Sequence, residues 1–116
     1  MNIIRAGLLT LLVGLISGCI EASREAPEAL ANAYGEQVVL YSTSWCGYCT
    51  KMRKHLNDHN VSFIEYDIET SEQGKHEFDQ LNGNGIPLVL VKGRVVEGYA
   101  PKAVIDILKG QPDING

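Results

Sequence analysis

The spacing of apolar and polar residues predicts seven helices and strands between residues 38 and 110. Short apolar or β-branched runs indicate strands, and apolar residues at spacings of three and four indicate helices. In chain order the pattern predicts a strand at 38–41, a helix at 47–58, a strand at 61–68, a helix between 70 and 81, strands at 88–91 and 94–96, and a helix at 101–109. The order β-α-β-α-β-β-α indicates an α/β domain.

Three of these elements have clear local signals. Val38–Tyr41 is a continuous apolar run, as expected of a strand that is buried on both faces. Cys49, Met52 and Leu56 share one face of the helix that follows. Lys92–Gly93 separates two apolar strands and predicts a tight hairpin turn that requires positive φ.

The last two helices are predicted from caps and apolar faces. Thr70–Gln73 matches a capping box, which satisfies free N–H groups at a helix start, although Gly74 weakens the helix that it begins. In the final helix, Val104, Ile107 and Leu108 are expected to face inward.

The N-terminus has the pattern of an export signal. Arg5 precedes an apolar run at 6–16, and small residues precede Cys19. The run is shorter than the roughly 20 residues that span a bilayer, so a transmembrane helix is the weaker interpretation, and an uncleaved anchor remains an alternative.

The end of this signal, Leu15–Cys19, resembles the lipobox of bacterial lipoproteins. The resemblance implies cleavage before Cys19, lipid attachment to its thiol and acylation of the new N-terminus. Several acyl chains hold a protein on a membrane far better than one chain does. Ile20 stands where Asp would favour inner-membrane retention, so the resemblance favours the outer membrane. The alternative is an ordinary signal peptide with a chance cysteine.

Composition limits the rest of the chain to one acidic globular domain. The sequence is 45% apolar and 21% charged, and removal of residues 1–18 leaves 98 residues with 14 acidic and 9 basic side chains. No strongly basic tract is present, so nucleic acid is not expected as a partner. We predict four segments: a signal peptide at 1–18, a lipidated N-terminus and tether at 19–37, a folded domain at 38–110 and a C-terminal tail at 111–116.

The predicted tether is rich in Glu, Ala, Ser and Asn and shows little apolar patterning. Pro27 and Gly35 permit a short helix at Glu28–Tyr34, although so short a helix is marginal in water without packing. Fully extended, such a tether would reach about 60 Å.

The predicted chemistry lies where the first strand meets the first helix, at Cys46 and Cys49. Disulfide exchange needs one thiolate that attacks and a second thiol that resolves the mixed disulfide. Free N–H groups at a helix start favour the thiolate at Cys46, and Cys49 lies one turn further in. A purely structural disulfide is disfavoured, because closing so short a loop stabilises a fold little.

A zinc site is the other alternative, because His55 and His59 follow the two cysteines. On one helix His55 is about 9 Å along the axis and roughly 240° around it from Cys49, which is too far for a shared ion. We therefore expect no mononuclear metal site, although a cluster that bridges two subunits is not excluded.

The segment Tyr41–Cys49, with Gly85–Pro87 ahead of a later strand, resembles the glutaredoxin branch of the thioredoxin-fold family over about residues 37–110. The resemblance implies a four-stranded mixed sheet flanked by three helices, with Cys46 as nucleophile and Cys49 as resolving thiol. It also implies a cis peptide before Pro87 and main-chain hydrogen bonds from Ile86 to a substrate chain. The candidate substrate-binding residues are Trp45, Gly47, Tyr48, Ile86, Pro87, Gly98 and Tyr99.

Two departures from the family concern glutathione. Its usual partners are a basic residue three positions before the first cysteine and a Gly-Gly-x-Asp loop, and here Thr43 and Glu97–Ala100 occupy those places. The charges that usually bind glutathione are therefore missing from this sequence. The redox-active disulfide Cys46–Cys49 is the cofactor expected, and glutathione remains an alternative. Glu97–Pro101 resembles the corresponding loop of redoxins that take electrons from thioredoxin reductase.

The sequence thus predicts a monomeric, lipid-anchored thiol-disulfide oxidoreductase in the periplasm. Expected partners are disulfide-containing proteins, a membrane, and an electron donor such as a thioredoxin-reductase-like or membrane reductant. A reducing role is favoured. The alternatives are a periplasmic oxidant or isomerase, a glutathione-dependent iron–sulfur cluster-binding module, and a catalytically idle scaffold.

Overall fold

The computed structural model describes residues 23–110, so the predicted signal peptide, Cys19 and the tail at 111–116 lie outside the described residues. The elements are β1 (Ser23–Glu25), α1 (Glu28–Tyr34), β2 (Val38–Ser42), α2 (Gly47–Asp58), β3 (Phe63–Asp67), α3 (Glu72–Gln80), β4 (Leu88–Val91), β5 (Arg94–Glu97) and α4 (Pro101–Leu108). Within this range no helix combines the length and apolarity needed to cross a bilayer.

The five strands form one mixed sheet in the order β1-β5-β4-β2-β3. Only the β2–β3 pair is parallel among the described strands, and the other pairs are antiparallel. Tyr41 pairs with Leu88, and Leu88 pairs with Glu97. The carboxyl ends of β2 and β5 and the start of β4 therefore lie at the same end of the sheet.

Helices cover both faces of the sheet. Against one face α2 and α4 bury a cluster made of Val38, Leu40, Met52, Leu56, Val89, Val91, Val96, Ala103 and Val104. Against the other face α1 and α3 bury a second cluster made of Leu30, Val39, Tyr41, Phe78, Leu81, Leu88, Leu90 and Val95. All five residues of β2 are buried, so the prediction of a strand enclosed on both faces is confirmed.

The predicted α/β architecture is confirmed, but the predicted numbers of strands and helices are wrong. Residues 23–110 form five strands and four helices in place of the four strands and three helices expected. The additional β1 and α1 occupy part of the segment predicted as a tether, and α1 has the bounds of the permitted short helix. β1 is held by pairing with β5, and Leu30 of α1 is only 7% exposed. Packing against distant parts of the chain stabilises both elements, which their own sequences favour only weakly.

The start of α3 differs from the capping-box prediction by one residue. Ser71 is the N-cap, and its hydroxyl accepts a hydrogen bond from the Gly74 N–H at 2.9 Å. Gly74 also lets α3 approach the sheet, because a Cβ at this position would lie 2.5 Å from Cβ of Tyr66. The glycine that weakens the isolated helix is therefore required by its packing.

A buried carboxylate joins α1 to the rest of the domain. Glu77 is 7% exposed and accepts hydrogen bonds from the hydroxyls of Tyr34 at 2.9 Å and Tyr41 at 2.7 Å. Gln73 donates to the same carboxylate at 3.0 Å. Burial, followed by the hydrogen bond to Glu77 and then the Glu77 charge, raises the pKa of Tyr41 well above its ordinary value. The network fixes α1 against α3 and β2.

A second carboxylate holds α2 against the sheet. Arg53 of α2 donates to Glu65 of β3 through Nε at 2.8 Å and Nη2 at 2.5 Å. Ser42, at the end of β2, donates to the same carboxylate at 2.6 Å. Hydrogen bonding to Arg53 lowers the pKa of Glu65 below its ordinary value of 4.5, and the hydrogen bond from Ser42 adds to this effect against the opposing cost of burial.

Replacing Glu65 with Gln should lower the free energy of unfolding at neutral pH by about 1 kcal/mol, because the paired charge is lost. The stabilisation is complete above the ordinary pKa of 4.5 and disappears as the pH falls through the lowered folded-state pKa. The difference between E65Q and the unchanged protein should therefore shrink in acid. Urea unfolding followed by circular dichroism at a series of pH values measures it.

The matched control is D58N, which removes a carboxylate from the exposed Lys54–Asp58 pair of α2. It should change stability little at any pH, because exposed pairs of this kind contribute little. A stability difference for E65Q that stays constant from neutral to acid pH would contradict the assignment.

Candidate active site

Cys46 and Cys49 form a disulfide at the N-terminus of α2, with their Cα atoms 5.2 Å apart. Cys46 is the N-cap of the helix and has extended backbone dihedrals, φ −85° and ψ 113°. The chain leaves β2 at Ser42 and turns into α2 through residues 43–46, so the end of a buried strand and the start of a helix together fix the disulfide.

The two sulfurs have different surroundings. The Cys49 N–H donates to Sγ of Cys46 at 3.1 Å, so a free amide of the first helical turn points at that sulfur. Cys46 is 7% exposed, whereas Cys49 is fully buried beneath it. A negative charge on the Cys46 sulfur would be stabilised by the amide and by the positive end of the helix dipole.

Pro87 lies beside this junction. The Ile86–Pro87 peptide bond is cis. Pro87 immediately precedes Leu88, which pairs with Tyr41, so it lies next to the end of β2. Its carbonyl accepts a hydrogen bond from the Gly98 N–H at 2.8 Å. Within residues 23–110, no hydrogen bond engages the main-chain N–H or C=O of Ile86, which leaves both groups available to another chain.

Three aromatic side chains, here called the aromatic rim, are exposed around the disulfide: Trp45 at 69%, Tyr48 at 58% and Tyr99 at 40%. The rings of Tyr48 and Tyr99 stack with their centroids 5.5 Å apart. Trp45 Nε1 donates to the Glu69 carboxylate at 3.1 Å. Exposed aromatic groups of this kind are typical of surfaces that contact other molecules.

The two candidate glycines keep side chains out of this region. A Cβ on Gly47 would meet no atom within 4 Å, so the space above the first helical turn is open. Gly98 has φ +89°, a conformation that residues with side chains rarely adopt. The structure thus brings the candidate residues of the helix start, the cis-proline loop and the loop after β5 to one end of the sheet.

Two of the basic residues after the disulfide form ion pairs, and a third lies over a ring of the aromatic rim. Arg53 pairs with Glu65, Lys54 pairs with Asp58, and Lys51 lies 5.1 Å from the centroid of the Tyr48 ring. In the part of the chain that the structure describes, no group of three or more His, Cys, Asp or Glu side chains is arranged to hold a metal ion.

Thr43 is the residue at the place where glutathione-binding relatives are expected to carry a basic side chain. It is 3% exposed, and its Oγ1 has no hydrogen-bond partner among the described residues. A buried, neutral hydroxyl offers no charge to a carboxylate ligand.

From the sequence, Arg24 has no predicted role near the site and Glu97 is only the first residue of a loop, so the contacts of both were missed. The Glu97 carboxylate accepts hydrogen bonds from the N–H groups of Asn84 and Gly85, just before Ile86. Arg24 of β1 forms an ion pair with the same carboxylate at 2.9 Å. No local pattern links these residues, because their contacts join segments that are far apart in the chain.

Comparison with known proteins adds to this geometry. A family model described as glutaredoxin matches residues 38–96, just over half of the chain. A glutaredoxin-like 8.6 kDa protein in the rubredoxin operon of Clostridium pasteurianum is 28% identical over 72 residues, which cover 61% of this chain and 95% of that protein.

Solved structures share the fold. Wheat glutaredoxin matches with a TM-score of 0.55 at 22% identity, covering 76% of this chain and 97% of the wheat chain. A mutant of a thioredoxin-like protein matches with a TM-score of 0.59 at 19% identity, covering 66% of this chain and 99% of that chain. The family match spans β2, the disulfide, the cis-proline loop and most of β5, and the chain therefore belongs to the glutaredoxin family.

Proposed function

We propose that this glutaredoxin-family protein reduces disulfide bonds of exported proteins by thiol–disulfide exchange at Cys46 and Cys49. The observation that carries the proposal is the asymmetry of the pair at the start of α2. Cys46 is the more accessible residue, at 7% exposed, and its sulfur accepts a hydrogen bond from the Cys49 N–H, whereas Cys49 is fully buried. An accessible, amide-stabilised thiolate is the group needed for attack.

The reaction begins from the dithiol form. The Cys46 thiolate attacks one sulfur of the substrate disulfide, that S–S bond breaks, and the departing substrate thiolate takes up a proton. Cys49 then loses its proton and attacks Sγ of Cys46, which releases the second substrate thiolate. Two electrons have passed to the substrate, and the protein is left with the Cys46–Cys49 disulfide. A dithiol or reductase donor must return those electrons.

The substrate is proposed to bind as an extended chain beside Pro87. The free main-chain groups of Ile86 support this, because they can pair with another backbone without requiring a particular side chain. The aromatic rim supports it further by offering apolar surface on the flanks of the disulfide. Recognition through backbone and aromatic contacts suits a range of protein substrates.

Replacing either cysteine with Ser should have distinct effects on the reduced protein. C46S should lose disulfide reductase activity to the level of the uncatalysed reaction, because the attacking thiolate is gone. C49S should still attack but should accumulate a mixed disulfide with its substrate, because the resolving thiol is absent. Insulin reduction measures the first effect, and non-reducing mass spectrometry detects the second.

C46S and C49S are matched controls for each other, because each variant removes one sulfur from the same disulfide. The proposed roles would be wrong if C46S accumulated the mixed disulfide and C49S did not. Equal activity of both variants and the unchanged protein would contradict the enzymatic proposal.

The proposed direction is reduction, and the loop at Glu97–Pro101 supports a donor of the thioredoxin-reductase kind through its resemblance to such redoxins. A reductant of this class is expected to have a reduction potential of about −200 to −270 mV, as glutaredoxins and thioredoxin have. Equilibration of residues 20–116 in graded redox buffers, with thiol trapping and C46S as control, measures the potential. A value of about −120 to −180 mV would instead indicate an oxidant or isomerase.

The proposed location is a bacterial membrane facing the periplasm, with Cys19 as the lipid-anchored residue. Only residues 20–22 separate Cys19 from Ser23, the first residue of β1. Three residues span about 10 Å when extended, in place of the roughly 60 Å expected for an unfolded tether. The domain is therefore proposed to work close to the membrane surface.

Replacing Cys19 with Ala should abolish incorporation of labelled fatty acid and should shift the protein out of the membrane fraction, because the lipobox no longer has a thiol to carry the lipid. Metabolic labelling and membrane fractionation of cells that express the full chain measure both effects. Unchanged labelling of C19A would contradict lipidation at this residue, and C46S serves as the matched cysteine control that should remain labelled.

A further inference from the structure

The loop between α3 and the cis peptide, residues 81–86, is held by the carboxylate of Glu97 at the end of β5. Glu97, the last residue of β5, accepts hydrogen bonds through Oε2 from the N–H groups of Asn84 and Gly85, each at 2.5 Å. Gly85 directly precedes Ile86, whose free main-chain groups are proposed to receive the substrate. A charged acceptor makes these hydrogen bonds stronger than neutral ones.

The other oxygen of the same carboxylate is oriented from β1. Arg24 pairs with Oε1 of Glu97 through Nη1 at 2.9 Å, and its Nη2 donates to the carbonyl of Leu81 at 2.8 Å. Leu81 directly follows α3, where the loop begins. Arg24 therefore contacts the start of the loop directly and its end through Glu97, which fixes both with one side chain.

The position of Glu97 relative to the disulfide follows from the sheet register. Glu97 pairs with Leu88, and Leu88 pairs with Tyr41 of β2. Glu97 is thus two strands away from the strand that leads to Cys46. No hydrogen bond links its carboxylate to either cysteine in the described part of the chain, so its effect on the sulfurs is indirect.

We propose that Glu97, oriented by Arg24, is a positioning residue that holds the Ile86 main chain in the geometry that pairs with a protein substrate. The inference rests on the proposed function and deepens it. Loss of the carboxylate leaves two loop N–H groups without their acceptor, so the backbone beside the cis peptide is released. Among the described residues no hydrogen bond joins the Ile86 backbone to Cys46, so attack of the Cys46 thiolate on a small disulfide is expected to be less affected.

The test compares a protein disulfide with a small one. Reduced E97A should reduce insulin with a kcat/KM about tenfold lower than the unchanged protein, because misplaced binding groups cost catalytic efficiency. Its rate with the small disulfide 5,5′-dithiobis(2-nitrobenzoate), which needs no backbone pairing, should stay within about twofold of the unchanged protein. Amide hydrogen exchange at Asn84 and Gly85 should become faster in E97A.

Two further variants keep the test decisive if E97A folds poorly. E97Q retains an oxygen that can accept the loop N–H groups but loses the charge that pairs with Arg24. R24M leaves the carboxylate in place and removes its orienting partner. Both should lower kcat/KM for insulin by less than E97A does, and both should retain the reaction with the small disulfide.

The matched control is D58N, which removes a carboxylate from the exposed pair at the far end of α2. It should leave both reactions unchanged. Insulin reduction by E97A at the rate of the unchanged protein would overturn the inference, as would an equal loss with both substrates. If the unchanged protein reduced neither disulfide, the proposed function itself would be wrong, and the inference would be wrong with it.

Discussion

The antiparallel pairing of β2 with β4 is the constraint on which the candidate site depends. Tyr41 lies opposite Leu88, so the residue after the cis-proline is fixed beside the strand that leads to the disulfide. A shift of the register by one residue would turn every side chain of β4 to the other face of the sheet. Leu88 and Leu90 pack in one cluster and Val89 and Val91 in the other, so such a shift would exchange leucine and valine between two close-packed clusters and is disfavoured. The core therefore sets the geometry of the site.

Three partly or fully buried carboxylates fix the elements that surround this core. Glu77 binds tyrosines from α1 and β2, Glu65 binds Arg53 of α2, and Glu97 binds the loop before Ile86. Each one has its hydrogen-bonding capacity used by several donors, as a buried carboxylate requires. Apolar packing places the helices on the sheet, and these polar contacts tie α1, α2 and the loop before Ile86 to it.

The sequence predicts the elements whose signals are local. The bounds of α2 and the Lys92–Gly93 turn agree with the structure, because apolar spacing and turn residues specify them without help from distant residues. β1 could not be predicted, since three residues carry no period and their stability comes from pairing with β5. The contacts of Glu97 were missed for the same reason, because its partners are Arg24 and a loop that only folding brings near it.

The register of β1 has a consequence for how this domain meets its surroundings. Ser23 lies opposite Val96, so the amino end of β1 is at the same end of the sheet as Pro87 and the start of α2. A membrane or protein attached to the chain a few residues before Ser23 would therefore lie at the end of the sheet that carries Pro87 and the disulfide. Such an attachment would restrict the space on the β1 side of the aromatic rim, which would favour extended segments over bulky folded ones as substrates.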